Sequence, residues 1–307
     1  MPLAPASLVP ASLAPASLAP ASLVPASLVP ASIALDASLA LDASLVPASL
    51  VPASLAPVFI PKDTMMRLLK DVREMMTTQV PGMHYKHSET DMLCGYALIV
   101  GPEDSLYDGG YYFYKFKFPP DYPHSPPLVE FLTNDGTTRM HPNMYKNRKM
   151  CLSILNSWRG DQWTGCQTIK SVLLTIMSLL DSKPLLNEPG ITEHNADFGT
   201  YHRIIQYKNY EFSMMQLLKS LSEFKQVIAD IEYHEQFYEH MCAAFCASHL
   251  RHSPAIDALL LKHPHSEMLR TTHVYQMNVV VNYPALKTAF QAAVKRLVGM
   301  RQNIERV

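Results

Sequence analysis

The chain has 307 residues and carries 26 lysines and arginines against 27 aspartates and glutamates. This near-neutral balance argues against nucleic acid as the main partner, because proteins that bind phosphate backbones carry basic patches. The five cysteines include no CxxC pair, which argues against a paired disulfide framework and indicates free thiols in a reducing compartment.

A five-residue repeat fills the first sixty residues. The unit PASLV or PASLA recurs from Pro5, slips to a DASLAL form around Asp36 and Asp42, and returns at Pro47. Proline at this density removes backbone donors, so the sequence predicts a disordered or polyproline-like tail over residues 1–60. Serine and proline also interrupt every apolar run that could form a signal peptide or a membrane span. We therefore expect a soluble intracellular protein, cytoplasmic, nuclear or both, with no membrane partner.

The first predicted element is an amphipathic helix that begins near Pro61. Either Asp63 or Thr64 is expected to cap it. Apolar residues recur at helical spacing over about four turns, namely Met65, Leu68, Val72, Met75 and Met76. The pattern predicts a helix with one apolar face.

Strand-like segments follow the Pro81-Gly82 break. MLCGYALIVG (residues 92–101) and YYFYKFKF (residues 111–118) are rich in apolar and aromatic residues, and a polar turn joins them. LVEFLT, after the proline-rich PPDYPHSPP, gives a further strand. These three segments predict an antiparallel meander of three or four strands packed on the N-terminal helix, and we expect the four-stranded form.

Helical patterns dominate the rest of the chain. A strongly apolar central helix is predicted over residues 167–180, and three more helices over residues 207–221, 224–250 and 284–304. Prolines at 254, 264 and 284 are expected to punctuate this region. Together the elements predict an α+β layer architecture.

The segment HPNMYKNRKMCLSIL, from His141 to Leu155, is the most informative motif in the chain. Seven residues separate Asn143 from Cys151, and an apolar frame surrounds the cysteine. GPEDSLYDGGYYFYKFKFPPDYPHSPPLVEF precedes the motif, and QWTGCQTIKSVLLTIMSLL follows it. In order and spacing these segments resemble the active-site region of the ubiquitin-conjugating enzyme family, in particular its Z-type subgroup, which carries a helical C-terminal extension.

The resemblance implies a ubiquitin-conjugating (UBC) fold over residues 61–222 and a helical extension over residues 223–307. It also implies that Cys151 attacks the thioester of ubiquitin, or of a ubiquitin-like modifier, on an activating enzyme. The modifier then passes to a lysine of a protein substrate or to a ligase. No metal or organic cofactor is implied for this chain, because the activating enzyme consumes the ATP and magnesium. The substrates, the ligase and the choice of modifier stay open.

The same resemblance implies roles for the residues around the thiol. Asn143 either stabilises the tetrahedral oxyanion of the transfer step or fixes the active-site loop. His141 is expected to hold the turn by hydrogen bonding rather than to act as a base, and Pro142 stiffens it. Glu188 matches an acidic gate that orients or partly deprotonates the incoming lysine, with Asn187 a weaker candidate. The alternative for Glu188 is an ordinary surface carboxylate.

The basic KNRK stretch predicts a reactive thiol at Cys151. Lys146, Arg148 and Lys149 would favour its thiolate where their side chains face the sulfur. The other cysteines are expected to be buried, inert apolar residues. They are Cys94, Cys166, Cys242 and Cys246.

A helical face carries Cys242, Cys246 and His249 at spacings of four and three residues. This pattern suggests either a zinc site or simple packing. Packing is favoured, because the sequence offers no fourth ligand and no CxxC pair.

Two aromatic residues are candidates for contact with a ligase. Trp163 resembles the tryptophan that opens a ligase-contacting loop in the family, although Thr164-Gly165-Cys166 replaces the usual Ser-Pro-Ala. His124 replaces a hydrophobic residue that RING-type ligases commonly touch. These departures predict a restricted set of ligases or direct transfer to the substrate.

Two rival functions follow from the same residues. A non-catalytic UBC-fold binding module would present ubiquitin or a partner without forming a thioester, but such modules typically lack the cysteine that stands here at Cys151. A cysteine hydrolase that cleaves ubiquitin would need a histidine paired with the thiol, and none of the thirteen histidines lies in a recognisable hydrolase motif.

Overall fold

The computed structural model describes residues 59–304. The tail predicted over residues 1–60 therefore lies almost entirely outside the described residues, and its conformation stays a prediction. The described residues belong to one compact unit.

Helix α1 (Lys62–Thr77) begins directly after Pro61. Proline fixes its own φ near the helical value and needs no donor, so it is compatible with a helix start. The predicted side-chain cap is wrong: the helix has no capping hydrogen bond, and the Thr64 hydroxyl instead donates to the carbonyl of Pro120 at 2.8 Å. That bond ties the first turn to the loop before the last strand of the sheet.

The apolar face of α1 is narrower than its sequence pattern predicts. Leu68 is buried, and Val72 and Met75 are half-buried against the core. Met65 and Met76 are exposed, the latter by 76%. The helix therefore packs through its centre and leaves methionines on the surface at its ends.

Four strands form one antiparallel sheet in chain order. They are β1 (Met83–His87), β2 (Cys94–Val100), β3 (Tyr111–Lys117) and β4 (Leu128–Phe131). The four-stranded meander is thus confirmed. The first strand, MHYKH, mixes polar and apolar residues, and its place in the sheet depends on pairing with β2 along its whole length.

Helix α2 (Ile169–Leu179) is the predicted central helix. Its first turn is held by a capping box, in which Thr168 and Ser171 each accept the backbone N–H of the other. Its buried side comprises Ile169, Val172, Leu173, Ile176 and the following Leu180, whereas Met177 is half-buried. The helix lies beside α1.

The segment after α2 is a chain of short helices. A 3₁₀ turn (Pro184–Asn187) leads to α3 (Phe198–Lys208), which continues as a π-helix (Asn209–Gln216) before α4 (Leu221–Val227). The helix predicted over residues 207–221 was therefore misplaced. Ser220 interrupts it, since its side chain accepts the N–H of Glu223 and starts α4.

Helices α5 (His234–Lys262) and α6 (Tyr283–Ile304) form most of the extension. The single helix predicted over residues 224–250 is wrong, because the chain breaks at residues 228–233. There Ile228 and Ile231 are buried and Glu232 accepts a hydrogen bond from Ser88 at 3.0 Å, so core contacts override the helical pattern.

Pro254 lies inside α5 and does not end it, contrary to the prediction. A proline here leaves the carbonyl of Leu250 without its helical donor. Leu250 is 77% exposed, so water can satisfy that carbonyl.

A hairpin interrupts the extension, which its sequence pattern predicts to be largely helical. Strands β5 (Glu267–Arg270) and β6 (Asn278–Val281) pair antiparallel between α5 and α6. Each strand has only four residues, with alternating exposure along the chain. Segments this short give little periodic signal, so the sequence does not predict the hairpin.

The extension covers one face of the sheet. The ring of Phe113 in β3 lies 5.2 Å from that of Phe224 and 5.5 Å from that of Phe237, measured between centroids. The hydroxyl of Tyr111, which points to the same side, donates to the carbonyl of Met241 at 3.0 Å. Residues 59–304 contain no helix whose length and apolarity would let it cross a membrane.

Candidate active site

The His-Pro-Asn turn is a buried, hydrogen-bonded loop. His141 is fully buried, and its Nδ1 accepts the backbone N–H of Asn143 at 3.0 Å. Pro142 is buried beside it, and the Tyr107 hydroxyl donates to the carbonyl of Met140 at 2.8 Å. Since the imidazole is enclosed and engaged with its own turn, its geometry suits support of the backbone rather than proton transfer.

Cys151 and Asn143 are joined by two opposed hydrogen bonds. The N–H of Cys151 donates to the carbonyl of Asn143 at 2.9 Å, and the Asn143 side-chain Nδ2 donates to the carbonyl of Cys151 at 2.6 Å. The seven intervening residues therefore form a closed loop that holds the asparagine amide beside the cysteine. Cys151 itself is only 3% exposed.

Ser157 shapes the backbone on both sides of the thiol, a role that the sequence analysis missed. Its hydroxyl accepts the N–H of Leu152 at 2.9 Å and donates to the carbonyl of Met150 at 3.1 Å. The chain turns back to it through Asn156, which has a left-handed φ of 55°. A serine six residues beyond a cysteine carries no recognisable signal without knowledge of this turn.

The basic KNRK stretch is exposed on its loop, and one of its members contacts the extension. Arg148 forms an ion pair with Asp230 of the extension. Lys146 and Lys149 are exposed to solvent, where water screens their charge. The stretch forms the outer end of the loop, and the arginine links that loop to the extension.

Arg139, two residues before His141, is a further residue that the sequence analysis did not identify. Its guanidinium donates to the carbonyls of His141 at 3.2 Å and Pro142 at 2.6 Å, and it lies 3.4 Å from the ring centroid of Tyr145. The only sequence signal for this role of Arg139 is its position as a positively charged residue just before the motif. Arg139 thereby fixes the outer side of the turn whose inner side His141 holds.

Glu188 follows the 3₁₀ turn at the end of the central-helix segment and is half-buried. Its carboxylate accepts a hydrogen bond from the hydroxyl of Tyr275 in the extension. Neighbouring Asn187 is exposed, and its amide donates to the carbonyl of Pro184 at 3.1 Å, within its own turn. Of the two gate candidates, Glu188 is the one with a partner from outside its loop.

Trp163 and His124 lie on adjoining loops. The indole N–H of Trp163 donates to the carbonyl of Pro123 at 2.7 Å, and its ring lies against Tyr122 with 5.8 Å between centroids. Trp163 is therefore mostly buried, and it supports the loop from which the exposed His124 side chain projects. From α1, Arg67 donates to the carbonyl of Gly165 at 2.6 Å, which joins that helix to the same surface.

The remaining cysteines lie apart from the loop. Cys94 is buried in β2, whereas Cys166 is exposed, contrary to the expectation of burial. Cys242 and Cys246 are partly buried on α5, and the Nδ1 of His249 is bonded to the carbonyl of Cys246 at 2.9 Å. Within residues 59–304, no three histidine, cysteine or acidic side chains are grouped to hold a metal ion.

The buried imidazole of His141 makes stability depend on pH. Burial lowers its pKa from 6.5 to about 3. The folded state therefore keeps it neutral while the unfolded chain takes up a proton below about pH 6.5, so its contribution is present above that pH and is lost as the pH falls toward 3. We expect His141 alone to reduce the free energy of unfolding by about 1.4 kcal/mol between pH 7.5 and 5.5.

Urea unfolding of the wild-type chain and of His141→Asn at both pH values measures this contribution. The exposed His124 provides the control, since His124→Gln should preserve the wild-type pH difference. An unchanged pH difference in His141→Asn would contradict the assignment of a buried neutral imidazole.

The meander, the buried His-Pro-Asn turn and the cysteine bound to it are the features expected of a ubiquitin-conjugating domain. Residues 67–209 match the family model for ubiquitin-conjugating enzymes, and this part of the chain has the fold of that domain. Its α+β fold with an N-terminal helix, four-stranded sheet and additional C-terminal helices agrees with that assignment.

Relatives of known identity place the chain near one subgroup. It is 34% identical over 187 residues to ubiquitin-conjugating enzyme E2 Z of Xenopus tropicalis, covering 58% of this chain and 59% of that protein. The E2 Z of Homo sapiens is also 34% identical over 187 residues, covering 58% of this chain and 52% of the relative. The human dual E2 ubiquitin-conjugating enzyme/E3 ubiquitin-protein ligase BIRC6 is 36% identical over 154 residues, 46% of this chain and 3% of its own. The chain thus spans between 52% and 59% of the two E2 Z proteins.

Proposed function

We propose that this chain accepts ubiquitin, or a ubiquitin-like modifier, as a thioester on Cys151 and transfers it to a lysine of a protein substrate or to a ligase. The observation that carries the proposal is the pair of opposed hydrogen bonds between Asn143 and Cys151, which holds an amide donor beside the only cysteine of the loop. Relatives with this domain bear the name ubiquitin-conjugating enzyme, which supports the same activity here.

The charging step exchanges one thioester for another. The sulfur of Cys151 attacks the thioester carbonyl of the modifier on its activating enzyme, a new C–S bond forms, and the C–S bond to that enzyme breaks. The departing thiolate of the activating enzyme takes up the proton that Cys151 gave to solvent. Because similar bonds form and break, the step depends on proximity more than on strong acid or base catalysis.

The transfer step depends more strongly on catalytic groups of the site than the charging step does. The lysine amine attacks the thioester carbonyl and forms the new C–N bond, giving a tetrahedral oxyanion that collapses as the C–S bond breaks and the Cys151 thiolate leaves. A positioned amide donor stabilises such an oxyanion, and Asn143 is the candidate. Glu188 is the candidate for orienting the amine and receiving its proton.

The low exposure of Cys151 implies that the thiol becomes accessible by a local opening. An open cleft of about 840 Å³ lies next to the segment that follows the cysteine, lined by Asn156, Trp158, Arg159, Gln162 and Pro189. Pro189 directly follows Glu188, so this cleft is bounded both by the cysteine segment and by the gate segment. It supports approach of an extended modifier terminus or an acceptor chain from this side.

A second surface supports contact with a ligase. It comprises the exposed His124, the loop that Trp163 supports and the part of α1 around Arg67. We propose this surface as the ligase face and the cytoplasm or nucleus as the place of action.

Thioester charging tests the proposal directly. The protein is incubated with ubiquitin, ATP, magnesium and, separately, each of two activating enzymes, and the products are resolved on gels with and without reductant. A reductant-sensitive adduct supports the conjugating activity. No adduct with either activating enzyme, using ubiquitin and ubiquitin-like modifiers, would favour the non-catalytic binding module instead.

A further inference from the structure

The loop between β5 and β6, residues 271–277, is anchored next to the candidate site. The carboxylate of Asp197 accepts the backbone N–H groups of Thr272 at 3.0 Å, His273 at 2.6 Å and Val274 at 2.8 Å. These bonds outweigh the opposing effect of burial and lower the pKa of Asp197, so the anchor stays ionised at neutral pH. The loop is therefore held by the segment that leads into α3, not by its own hairpin alone.

Tyr275, at the tip of this loop, contacts both sides of the site. Its hydroxyl donates to the Glu188 carboxylate, and its ring centroid lies 5.0 Å from the guanidinium carbon of Arg139. Arg139 in turn donates to the carbonyls of His141 and Pro142. A single side chain of the extension thus connects the gate carboxylate with the His-Pro-Asn turn.

The backbone at the tip adopts an unfavourable conformation to make these contacts. Tyr275 has a φ of 60° and Gln276 a φ of 46°, in the left-handed region that is unfavourable for a residue with a Cβ. Such conformations persist only where surrounding contacts hold them, and they concentrate at functional sites. Here the contacts that hold them are those to Asp197, Glu188 and Arg139.

We propose that the loop of residues 271–277 is part of the transfer site and that Tyr275 is a positioning residue, which holds the Glu188 carboxylate in place for the incoming lysine. This inference rests on the proposed function. Tyr275 touches neither modifier nor thiol; it acts through Glu188 by hydrogen bonding and through Arg139 by packing. The extension thereby contributes to lysine transfer, beyond covering the sheet.

The phenol is suited to this role. Burial raises the pKa of Tyr275, and its hydrogen bond to Glu188 raises it further. The hydroxyl therefore remains a proton donor at neutral pH. A carboxylate with a fixed donor on one oxygen keeps the other oxygen free and oriented for an amine.

The first test distinguishes the role of the Tyr275 hydroxyl from the role of its ring. Tyr275→Phe keeps the ring over Arg139 and removes only the donor to Glu188. The thioester is expected to form on Cys151, and its loss on addition of free lysine to slow about tenfold, as expected when a hydrogen bond to a charged group is removed. Rates measured over a range of lysine concentrations show whether the limiting rate or the apparent affinity changes.

Tyr233 is a matched control. It also lies in the extension, has a φ of 57° and donates its hydroxyl to a core carbonyl, that of His87, at 2.8 Å. Tyr233→Phe removes a comparable bond between extension and core and should leave lysine discharge at the wild-type rate. Equal melting temperatures of the two variants would show that their difference in discharge is not a difference in folding.

A double-mutant cycle shows whether Tyr275 acts through Glu188. Tyr275→Phe should add no further slowing to Glu188→Ala, since its partner is already absent. Additive effects, or wild-type discharge by Tyr275→Phe alone, would overturn the inference while charging still supports the proposed function. Failure of the wild-type protein to charge would instead overturn the proposed function, and this inference with it.

Discussion

Replacing Cys151 by alanine is expected to abolish the thioester adduct completely. Cys151 carries the only thiol of the loop that Asn143 closes. Cys151→Ser should give an adduct that resists reductant, because the serine oxygen forms an oxyester in place of the thioester. Non-reducing gels of both variants after incubation with ubiquitin and the activating enzyme measure this outcome.

Cys166 provides the control for this prediction. It is exposed, and so is accessible to adventitious reaction, yet it lies beyond Trp163 on the surface assigned to the ligase. Cys166→Ser should charge at the wild-type rate. Charging that survives in Cys151→Ala and disappears in Cys166→Ser would show that the wrong cysteine has been assigned.

The sequence predicts the core of the fold well because its signals are local and strong. The apolar run after Thr168 matches α2 closely, and YYFYKFKF has the aromatic density of the central strand β3. Strand β1 was not located individually, since MHYKH has only five residues and gains its partner only from β2. The antiparallel meander nevertheless follows from the strands around it.

The extension was predicted less well from the sequence because its tertiary contacts override the local helical preferences of its residues. Burial of Ile228 and Ile231 breaks a continuous helical pattern, and Pro254 is accommodated inside α5, one turn after the exposed Leu250. The hairpin loop depends on Asp197, which lies far away in sequence. No window of neighbouring residues contains that information.

The candidate site, too, could be predicted only in part from the sequence. The spacing of His141, Asn143 and Cys151 suffices to nominate the loop, and the structure joins these residues by hydrogen bonds. Arg139 and Tyr275, which support the turn and the gate carboxylate, lie at positions that belong to no sequence motif. Tyr275 also lies in the C-terminal extension, far from the turn in sequence. For the basic KNRK stretch, the sequence cannot show where the side chains point, and the structure shows that Arg148 pairs with Asp230.

Asn143→Ala is expected to slow lysine discharge about 100-fold while the thioester still forms, as for loss of one oxyanion donor. The side-chain Nδ2 carries two hydrogens, and one of them donates to the Cys151 carbonyl at 2.6 Å. The amide orientation is fixed, because turning it would set its oxygen against that carbonyl, which can only accept. The second hydrogen remains for the oxyanion that forms at the thioester carbon.

Single-turnover discharge of the preformed thioester to free lysine measures this effect, with charging rates recorded in parallel. Asn134→Ala is the matched control, since the Asn134 Nδ2 donates to the carbonyl of Lys146 at 2.6 Å and fixes the same loop away from the thiol. If loop support were the whole function of Asn143, both variants would lose charging and discharge together. Loss of discharge but not of charging in Asn143→Ala alone would show that the amide stabilises the oxyanion. The oxyanion is absent from the charged thioester and forms only in the transfer step.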